Sequence, residues 1–192
     1  MDTTLKKLNL GCGEDKKEGY VNVDFHSHVK PDVVHDLNVV PYPFAESTFD
    51  LVEAYHVLEH LDKPFVVMKE LHRILKPGGT IHIKVPHFSR GFTHPEHKSG
   101  FDLMFPFYFN KNFTKSGYFG VDFKHVKSEL HWAAHKHLYA AVGVPKPIIL
   151  IVFGLNTFLN ALARLSPNLC SRLWCFWVGG FEEVEFVLTC EK

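Results

Sequence analysis

Apolar and polar positions along this chain follow two different periods, which predicts strands alternating with helices. Short apolar runs predict strands at about 6–10, 20–24, 32–36, 49–55 and 79–85. A helical repeat of apolar residues predicts a helix from about Pro64 to Leu75, with Val67, Leu71 and Ile74 on one face. Such alternation is typical of an α/β fold whose parallel strands are joined by right-handed crossovers.

The second half of the chain lacks this regularity. Nine of the 18 phenylalanines fall between Phe88 and Phe123 without a helical or strand period, which predicts an irregular segment on the substrate side of the fold. Further on, the pattern predicts a strand near 121–126, a mostly apolar helix from Pro147 to Leu165 and a last strand at 183–189. We therefore expect one domain, with a ligand-binding half at 1–86, a substrate-side insertion and helices at 87–182, and a final strand at 183–192.

Composition is consistent with one compact domain. The 192 residues include 21 basic and 21 acidic side chains, and this balance gives no reason to expect a nucleic-acid partner. The four cysteines show no Cys-x-x-Cys spacing, and the first predicted strand begins within a few residues of Met1. These features predict a reduced, cytoplasmic protein without a targeting segment.

A glycine pair between the first two predicted strands carries the clearest chemical signal. Gly11 and Gly13 let the backbone turn sharply and let a ligand lie against it, and Asp24 can accept hydrogen bonds from both hydroxyls of a ribose. Lys16 occupies the place of the third glycine of a dinucleotide fingerprint, and no phosphate-binding GxxxxGK[ST] loop is present. A cofactor with a ribose but no phosphates, such as S-adenosylmethionine, fits this pattern better.

Further motifs follow in a characteristic order. They are His35-Asp36-Leu37, Pro41 to Phe44, Ser47 to Val52, His56 to Leu61 and Leu75 to Thr80. In order and spacing, the run from Leu8 to Pro86 resembles class I S-adenosylmethionine-dependent methyltransferases, and within them the small branch whose first loop reads GCG…GYxNVD. The resemblance covers somewhat under half of the chain. It implies a Rossmann-like, mostly parallel sheet with flanking helices, S-adenosylmethionine as cofactor, and methyl transfer.

The resemblance also implies a set of cofactor contacts, with Asp36 and Leu37 beside the adenine. Asn9 stands where the family usually has an acidic residue, so it can bond to the glycine loop but cannot pair with the cofactor's ammonium group. Only nine residues separate Leu10 from Tyr20, too few for a helical crossover, so we expect the first helix of the family to be reduced. The expected cofactor-binding residues are Asn9, Gly11, Cys12, Gly13, Asp24, Asp36, Leu37 and His56.

Three histidines are candidate bases for the acceptor. His87, His94 and His97 follow the strand ending at Val85, at the edge where open α/β sheets place their sites. Imidazole titrates near neutral pH and suits proton removal from a hydroxyl or an amine. The stretch from Thr93 to Lys98 also resembles the D-P-x-H stretch of relatives, many of which need no base.

Two alternatives to an active methyltransferase follow from the same chain. His56-Val57-Leu58-Glu59-His60 matches the H-x-x-E-H pattern of inverted zincins, which would make the protein a zinc metallopeptidase. Its position directly after a predicted strand argues against that, so we predict no metal site. A catalytically inactive cofactor-binding module is the other alternative.

The acceptor itself is less well defined by the sequence. The apolar helix and Trp174-Cys175-Phe176-Trp177 predict either core packing, a cover over a hydrophobic substrate, or contact with a membrane surface. Together with the clustered phenylalanines, they lead us to expect a hydrophobic or lipid-linked acceptor and a possible peripheral membrane partner.

Overall fold

The computed structural model describes residues 5–90, 94–113 and 117–192. Seven strands lie in the order β1 (Lys7–Leu10), β2 (Val21–Asp24), β3 (Val33–Val34), β4 (Phe49–Tyr55), β5 (Leu75–Pro86), β6 (Asp122–His131) and β7 (Glu183–Glu191) along the chain. The helices are α1 (Pro64–Ile74), α2 (Lys136–Ala141), α3 (Lys146–Leu165) and the short α4 (Pro167–Leu169) and α5 (Cys175–Trp177), the last two joined by a π-helical turn at Cys170–Trp174. Each strand and both long helices predicted from the sequence are present, with ends that differ by a few residues.

All seven strands form one sheet in the order β3-β2-β1-β4-β5-β7-β6. Strands β1 to β5 pair in parallel, and β7 runs antiparallel between β5 and β6. The order reverses direction between β1 and β4, and in open α/β sheets this reversal leaves a crevice at the carboxyl ends of the strands. The predicted mostly parallel, Rossmann-like sheet is confirmed.

One face of the sheet is the core of the molecule. Leu8, Val52, Ile81 and other alternate strand residues have no exposed surface, and Leu71 of α1 is buried with them. On the opposite face the strands carry partly exposed polar side chains, such as Glu53 of β4. Between β1 and β2 the described backbone forms turns, in agreement with the expectation that the first helix is reduced.

The phenylalanine-rich segment packs into this core. Phe65 of α1 stacks on Phe119 at 4.5 Å between ring centroids, and it also contacts Phe105 and Phe109. Phe105 and Phe109 are themselves buried. These rings pack in the core, and Phe65, Phe105 and Phe119 also line a cavity of about 460 Å³.

Helix α3 has the reverse polarity of an ordinary surface helix. The Asn156 Oδ1 accepts a hydrogen bond from the Ala133 N–H at 3.0 Å, and the Asn160 Oδ1 accepts one from the Trp132 N–H at 2.9 Å. Asn156 is buried, whereas Leu150 of the same helix is 69% exposed. The polar side of α3 therefore faces the protein, and its apolar side faces outward. By length and composition α3 is also long and apolar enough to cross a membrane, a property that some core helices share.

Candidate cofactor site

A cleft of about 420 Å³ opens at the carboxyl ends of β1, β2 and β4, beside the reversal of strand order. Its volume lies in the range of small-molecule sites. Most of the residues predicted to hold a cofactor line it. The lining consists of Gly11, Asp24, Phe25, His26, Asp36, Leu37, Asn38, His56, Val57, His60, Leu61 and Glu96.

The glycine loop forms one wall of the cleft. Gly11 and Gly13 have φ values of 66° and 50°, in the left-handed region that favours glycine. A Cβ on Gly11 would lie 2.5 Å from Cγ2 of Val57, whereas a Cβ on Gly13 would meet nothing within 4 Å. Gly11 is therefore required for the loop to pack on the chain after β4, and Gly13 leaves open space beside the loop.

Cys12 lies between these glycines, but its side chain points into the protein. It is 5% exposed, and burial, together with the nearby Asp24 carboxylate, raises the pKa of the thiol. The Cys12 N–H donates to the Val23 carbonyl at 2.9 Å, which fixes the loop against β2. A protonated, buried thiol is a poor nucleophile.

The Asp24 carboxylate is held in place by the backbone. Its Oδ2 accepts a hydrogen bond from the Gly13 N–H and its Oδ1 accepts one from the His26 N–H, both at 2.8 Å. A carboxylate oxygen has two acceptor positions, so each oxygen keeps one for a ligand. Asp24 is thus oriented to receive hydroxyl groups in the cleft.

Asn9 supports the loop from below. It is buried, and its Nδ2 donates to the Asp15 carbonyl at 2.8 Å and to the Asn22 Oδ1 at 3.1 Å. Asn22 in turn accepts from the Lys17 N–H at 2.8 Å. These bonds stabilise the turn that replaces a helix between β1 and β2. Asn9 does not line the cleft, so the structure gives it a positioning role.

Asp36 and Leu37 form the wall opposite the glycine loop. The Asp36 Oδ1 accepts from the Asn38 N–H at 2.9 Å, which closes a tight turn after β3. Leu37 is 4% exposed, and its carbonyl accepts a hydrogen bond from the buried Tyr42 hydroxyl at 3.0 Å. A hydrogen-bond acceptor next to an apolar side chain is a suitable environment for an aromatic base such as adenine.

His56 lies at the back of the cleft between two carboxylates. Its Nε2 is 2.8 Å from Oε2 of Glu183 in β7, and its Nδ1 is 3.5 Å from Oε1 of the fully buried Glu59. Burial by itself lowers the pKa of His56, but hydrogen bonding to Glu183 and Glu59 outweighs it and raises the pKa to about 9. Glu183 was not predicted, because nothing in the sequence pairs it with His56.

The H-x-x-E-H pattern does not form a zinc site of the inverted-zincin type. Leu58–His60 is a short 3₁₀ turn, and His56 is engaged with Glu59 and Glu183. Within the described part of the chain, the groups with metal-ligand spacing do not combine His56 with His60.

The three candidate bases lie in different environments. His87 has no exposed surface, and its ring nitrogens lie 2.8 Å from the Ser89 hydroxyl and 2.9 Å from the Ser171 hydroxyl. Burial lowers the pKa of His87 to about 4. A ring in this position cannot reach a substrate, so we assign it a structural role. His94 is exposed, His97 is partly buried, and both contact His60 next to the cleft.

Fold and site together define an open α/β protein whose cleft carries groups suited to a nucleoside. Residues 8–83 match the sequence model of a family described as methyltransferase domain. A segment of 44 residues is 41% identical to an uncharacterized methyltransferase of Schizosaccharomyces pombe, and it covers 23% of this chain and 16% of that protein. The chain thus matches a small part of that relative's length.

Solved structures share the fold over almost the whole chain. A proposed sarcosine dimethylglycine methyltransferase from Galdieria sulphuraria has a TM-score of 0.60 at 14% identity, covering 98% of this chain and 78% of that one. An S-adenosylmethionine-dependent methyltransferase from Archaeoglobus fulgidus has a TM-score of 0.55 at 17% identity, covering 97% and 86%. The cyclase SpnF has a TM-score of 0.53 at 11% identity, covering 100% and 77%. Residues 8–83 therefore match a methyltransferase domain, and the fold that the chain shares with these structures also serves other chemistry.

Proposed function

We propose that this protein is an S-adenosylmethionine-dependent methyltransferase. The observation that carries the proposal is the Asp24 carboxylate, fixed by the Gly13 N–H at the mouth of the cleft, with two acceptor positions left for a ribose. Gly11 supports it, because it lines the cleft without a side chain and lets a ligand lie directly against the backbone of this loop. Leu37 and Asp36 would contact the adenine on the other wall.

The back of the cleft is formed by His56 and its acidic partner Glu183. When bound, S-adenosylmethionine supplies a methyl group activated by a positively charged sulfur. Glu183 is bonded to His56 and also lies 3.8 Å from His131, so its carboxylate is compensated by groups of the protein itself.

A second cavity, of about 530 Å³, is the site we propose for the methyl acceptor. Ring contacts join the two cavities: His56 of the cleft lies 4.9 Å from His135, and His60 lies 4.8 Å from His97, between ring centroids. The lining of the second cavity combines polar and apolar groups, namely Pro86, Arg90, His97, His135, Tyr139, Val142 and Glu182. The protein would hold the methyl acceptor in the second cavity and the cofactor in the cleft, with these imidazoles between them. Such alignment is the main task of an enzyme whose cofactor carries the reactivity.

Calorimetry with S-adenosylmethionine and its demethylated product tests the cofactor assignment. Asp24→Asn exchanges the carboxylate for an amide that cannot accept bonds at both atoms, and it should weaken binding by about 1–3 kcal/mol. Glu18→Gln, at an exposed residue of the turn before β2, removes the same charge and should bind like the wild type. Absence of heat with both ligands in the wild type would exclude the proposal.

Radiolabelled cofactor separates an active enzyme from an inactive binding module. Transfer of label from S-adenosylmethionine into a lipid extract or a polar fraction of cells identifies the class of acceptor. Tight binding without transfer to any fraction would indicate the inactive module.

For the acceptor, we propose a hydrophobic or lipid-linked molecule met at a membrane surface on the cytoplasmic side. The outward face of α3 supports this, because Leu150, Ile151 and Phe158 are each more than half exposed, and Trp177 of α5 is 81% exposed. Residues 130–181 contain four lysines and arginines and no aspartate or glutamate, and of these Arg172 pairs with Asp102 and Arg164 lies 3.6 Å from Glu129. An apolar helix face with an exposed tryptophan is typical of contact with a lipid surface.

Flotation with lipid vesicles tests this surface. The wild type should float with vesicles containing phosphatidylserine, and Leu150→Glu and Trp177→Glu should abolish flotation while the proteins stay folded. Val126→Glu places the same charge on an exposed valine of β6 and serves as the control. Absence of flotation in the wild type would exclude membrane contact through this surface. If the wild type is a dimer and Leu150→Glu makes it a monomer, the apolar face of α3 binds a second copy of the chain instead.

A further inference from the structure

Three histidine side chains meet where the two cavities adjoin. His60 ends the turn after β4, and His94 and His97 belong to the segment after β5. The ring centroids of His60 and His97 are 4.8 Å apart, those of His94 and His97 4.9 Å, and those of His60 and His94 5.7 Å. One ring nitrogen from each lies within 4.8 Å of the others.

We propose that His60, His94 and His97 bind a divalent transition-metal ion, with zinc as the preferred one. Imidazole nitrogen is a favoured zinc ligand, and three protein ligands with an open fourth position are typical of catalytic zinc. Tetrahedral zinc with bonds of about 2.0–2.1 Å brings its ligand nitrogens to about 3.3 Å from one another. Small rotations of the three rings are enough to reach this spacing from the present one.

The backbone already holds the two segments together. The Lys98 N–H donates to the Glu59 carbonyl at 2.8 Å, and the Lys98 ammonium lies 2.6 Å from the Asp62 carboxylate. Glu59 and Asp62 lie on either side of His60 in the chain, and Lys98 directly follows His97. The cluster is therefore preorganised, and binding has mainly to orient rings. A metal at His94 would compete with the long hydrogen bond from the Glu96 N–H to the His94 Nδ1 at 3.3 Å.

A second group with ligand spacing, formed by Glu129, His131 and Glu185, is a weaker candidate. Its Glu129 carboxylate is already paired with Lys127 at 3.0 Å and lies 3.6 Å from Arg164. Cations next to the ligands oppose the binding of another cation, so this group serves as the competing site in the experiment.

The position of the histidine cluster gives the metal a role that rests on the proposed function. His60 lines the cofactor cleft and His97 lines the second cavity, so an ion between them has its open position where the acceptor would lie. His94 and His97 would then be metal ligands that orient the acceptor through the ion, and neither would act as a free base. Of the H-x-x-E-H pattern, only the last histidine takes part.

Zinc titration of the full chain, prepared without a histidine tag and dialysed against a chelator, tests binding without cofactor. We expect one equivalent of zinc by calorimetry, with affinity more than about 100-fold lower in His60→Ala, His94→Ala and His97→Ala, since loss of an outer partner alone costs ten- to hundredfold. Two control variants should bind zinc like the wild type. They are His28→Ala, which changes an exposed histidine, and His131→Ala. Cobalt in place of zinc should give the absorption of a tetrahedral site.

This experiment tests the proposed metal site separately from the methyltransferase assignment. His94 is exposed, so His94→Ala should fold normally, and circular dichroism verifies this. Unchanged zinc affinity in His94→Ala and His97→Ala, or a loss confined to His131→Ala, overturns the proposal. In either case S-adenosylmethionine binding to the same variants shows independently whether the proposed function stands.

Discussion

The imidazole Nε2 of His56 lies 2.8 Å from Oε2 of Glu183, a residue 127 positions later in the chain. This pair joins the loop after β4 to the first residue of β7. His56 has a φ of 53°, a conformation that is uncommon for residues other than glycine and costs roughly 1–3 kcal/mol. Its two carboxylate partners hold it there, so the back of the cofactor cleft depends on the last strand being in place.

The stability of the protein should fall as the pH rises through the titration of His56. In the unfolded chain this histidine has a pKa of about 6.5, and in the folded protein the carboxylates raise its pKa to about 9. The stabilisation is therefore complete below pH 6.5 and is lost as the pH approaches 9. We expect a decrease of about 1–3 kcal/mol over this interval, allowing for partial exposure. Urea unfolding at several pH values should show this slope in the wild type and a flatter one in His56→Gln; identical slopes would contradict it.

His87 should have the opposite effect, on the acid side. Burial lowers its folded pKa to about 4, so protonation is easier in the unfolded chain. The contribution of neutral His87 to the free energy of unfolding is fully present above pH 6.5. It is lost as the pH falls toward 4, which lowers the free energy of unfolding by about 2–3 kcal/mol. His87→Gln should be less stable at pH 7 but should lose less on acidification. The exposed His28→Gln is the control and should follow the wild type; a wild-type acid slope in His87→Gln would rule out this account.

Replacing the two loop glycines should separate backbone conformation from packing. Gly13→Ala should cost about 1–2 kcal/mol of unfolding free energy, because only its positive φ opposes a side chain. Gly11→Ala should cost about 2–5 kcal/mol, since its Cβ also meets Val57. Adding Val57→Ala to Gly11→Ala should recover part of the difference. Equal losses for the two single variants would show that the contact with Val57 is unimportant.

The reversed polarity of α3 predicts an unusual pair of mutational effects. Asn156→Ala leaves the Ala133 N–H without its acceptor in a buried position and should cost about 1–3 kcal/mol. Leu150→Ser changes a residue that is 69% exposed and should alter stability by less than about 0.5 kcal/mol. Thermal unfolding of both variants compares them directly. If Leu150→Ser is the more damaging change, the apolar side of α3 faces the protein.

Local patterns in the sequence were enough to predict the strands and the two long helices. Leu8 and Leu10 alternate with polar residues, and Val67, Leu71 and Ile74 recur at helical spacing, so burial of one face follows from neighbours in the chain. The reduction of the first helix to turns also followed locally, from the short distance between Leu10 and Tyr20. The glycine loop and Asp24 could be placed because both lie next to strand ends, and parallel strands bring those ends to one edge.

Contacts between distant segments could be decided only by the tertiary structure. The partnership of His56 with Glu183, the burial of His87 between Ser89 and Ser171, and the meeting of His60 with His97 all join residues that no periodicity relates. The same holds for α3: the sequence shows one apolar and one polar side, but only the bond from the Ala133 N–H to Asn156 shows which side faces the protein. Hydrophobic pattern specifies which residues share a face. Which partner covers that face depends on long-range packing, where burial, charge pairing and hydrogen bonding are resolved together.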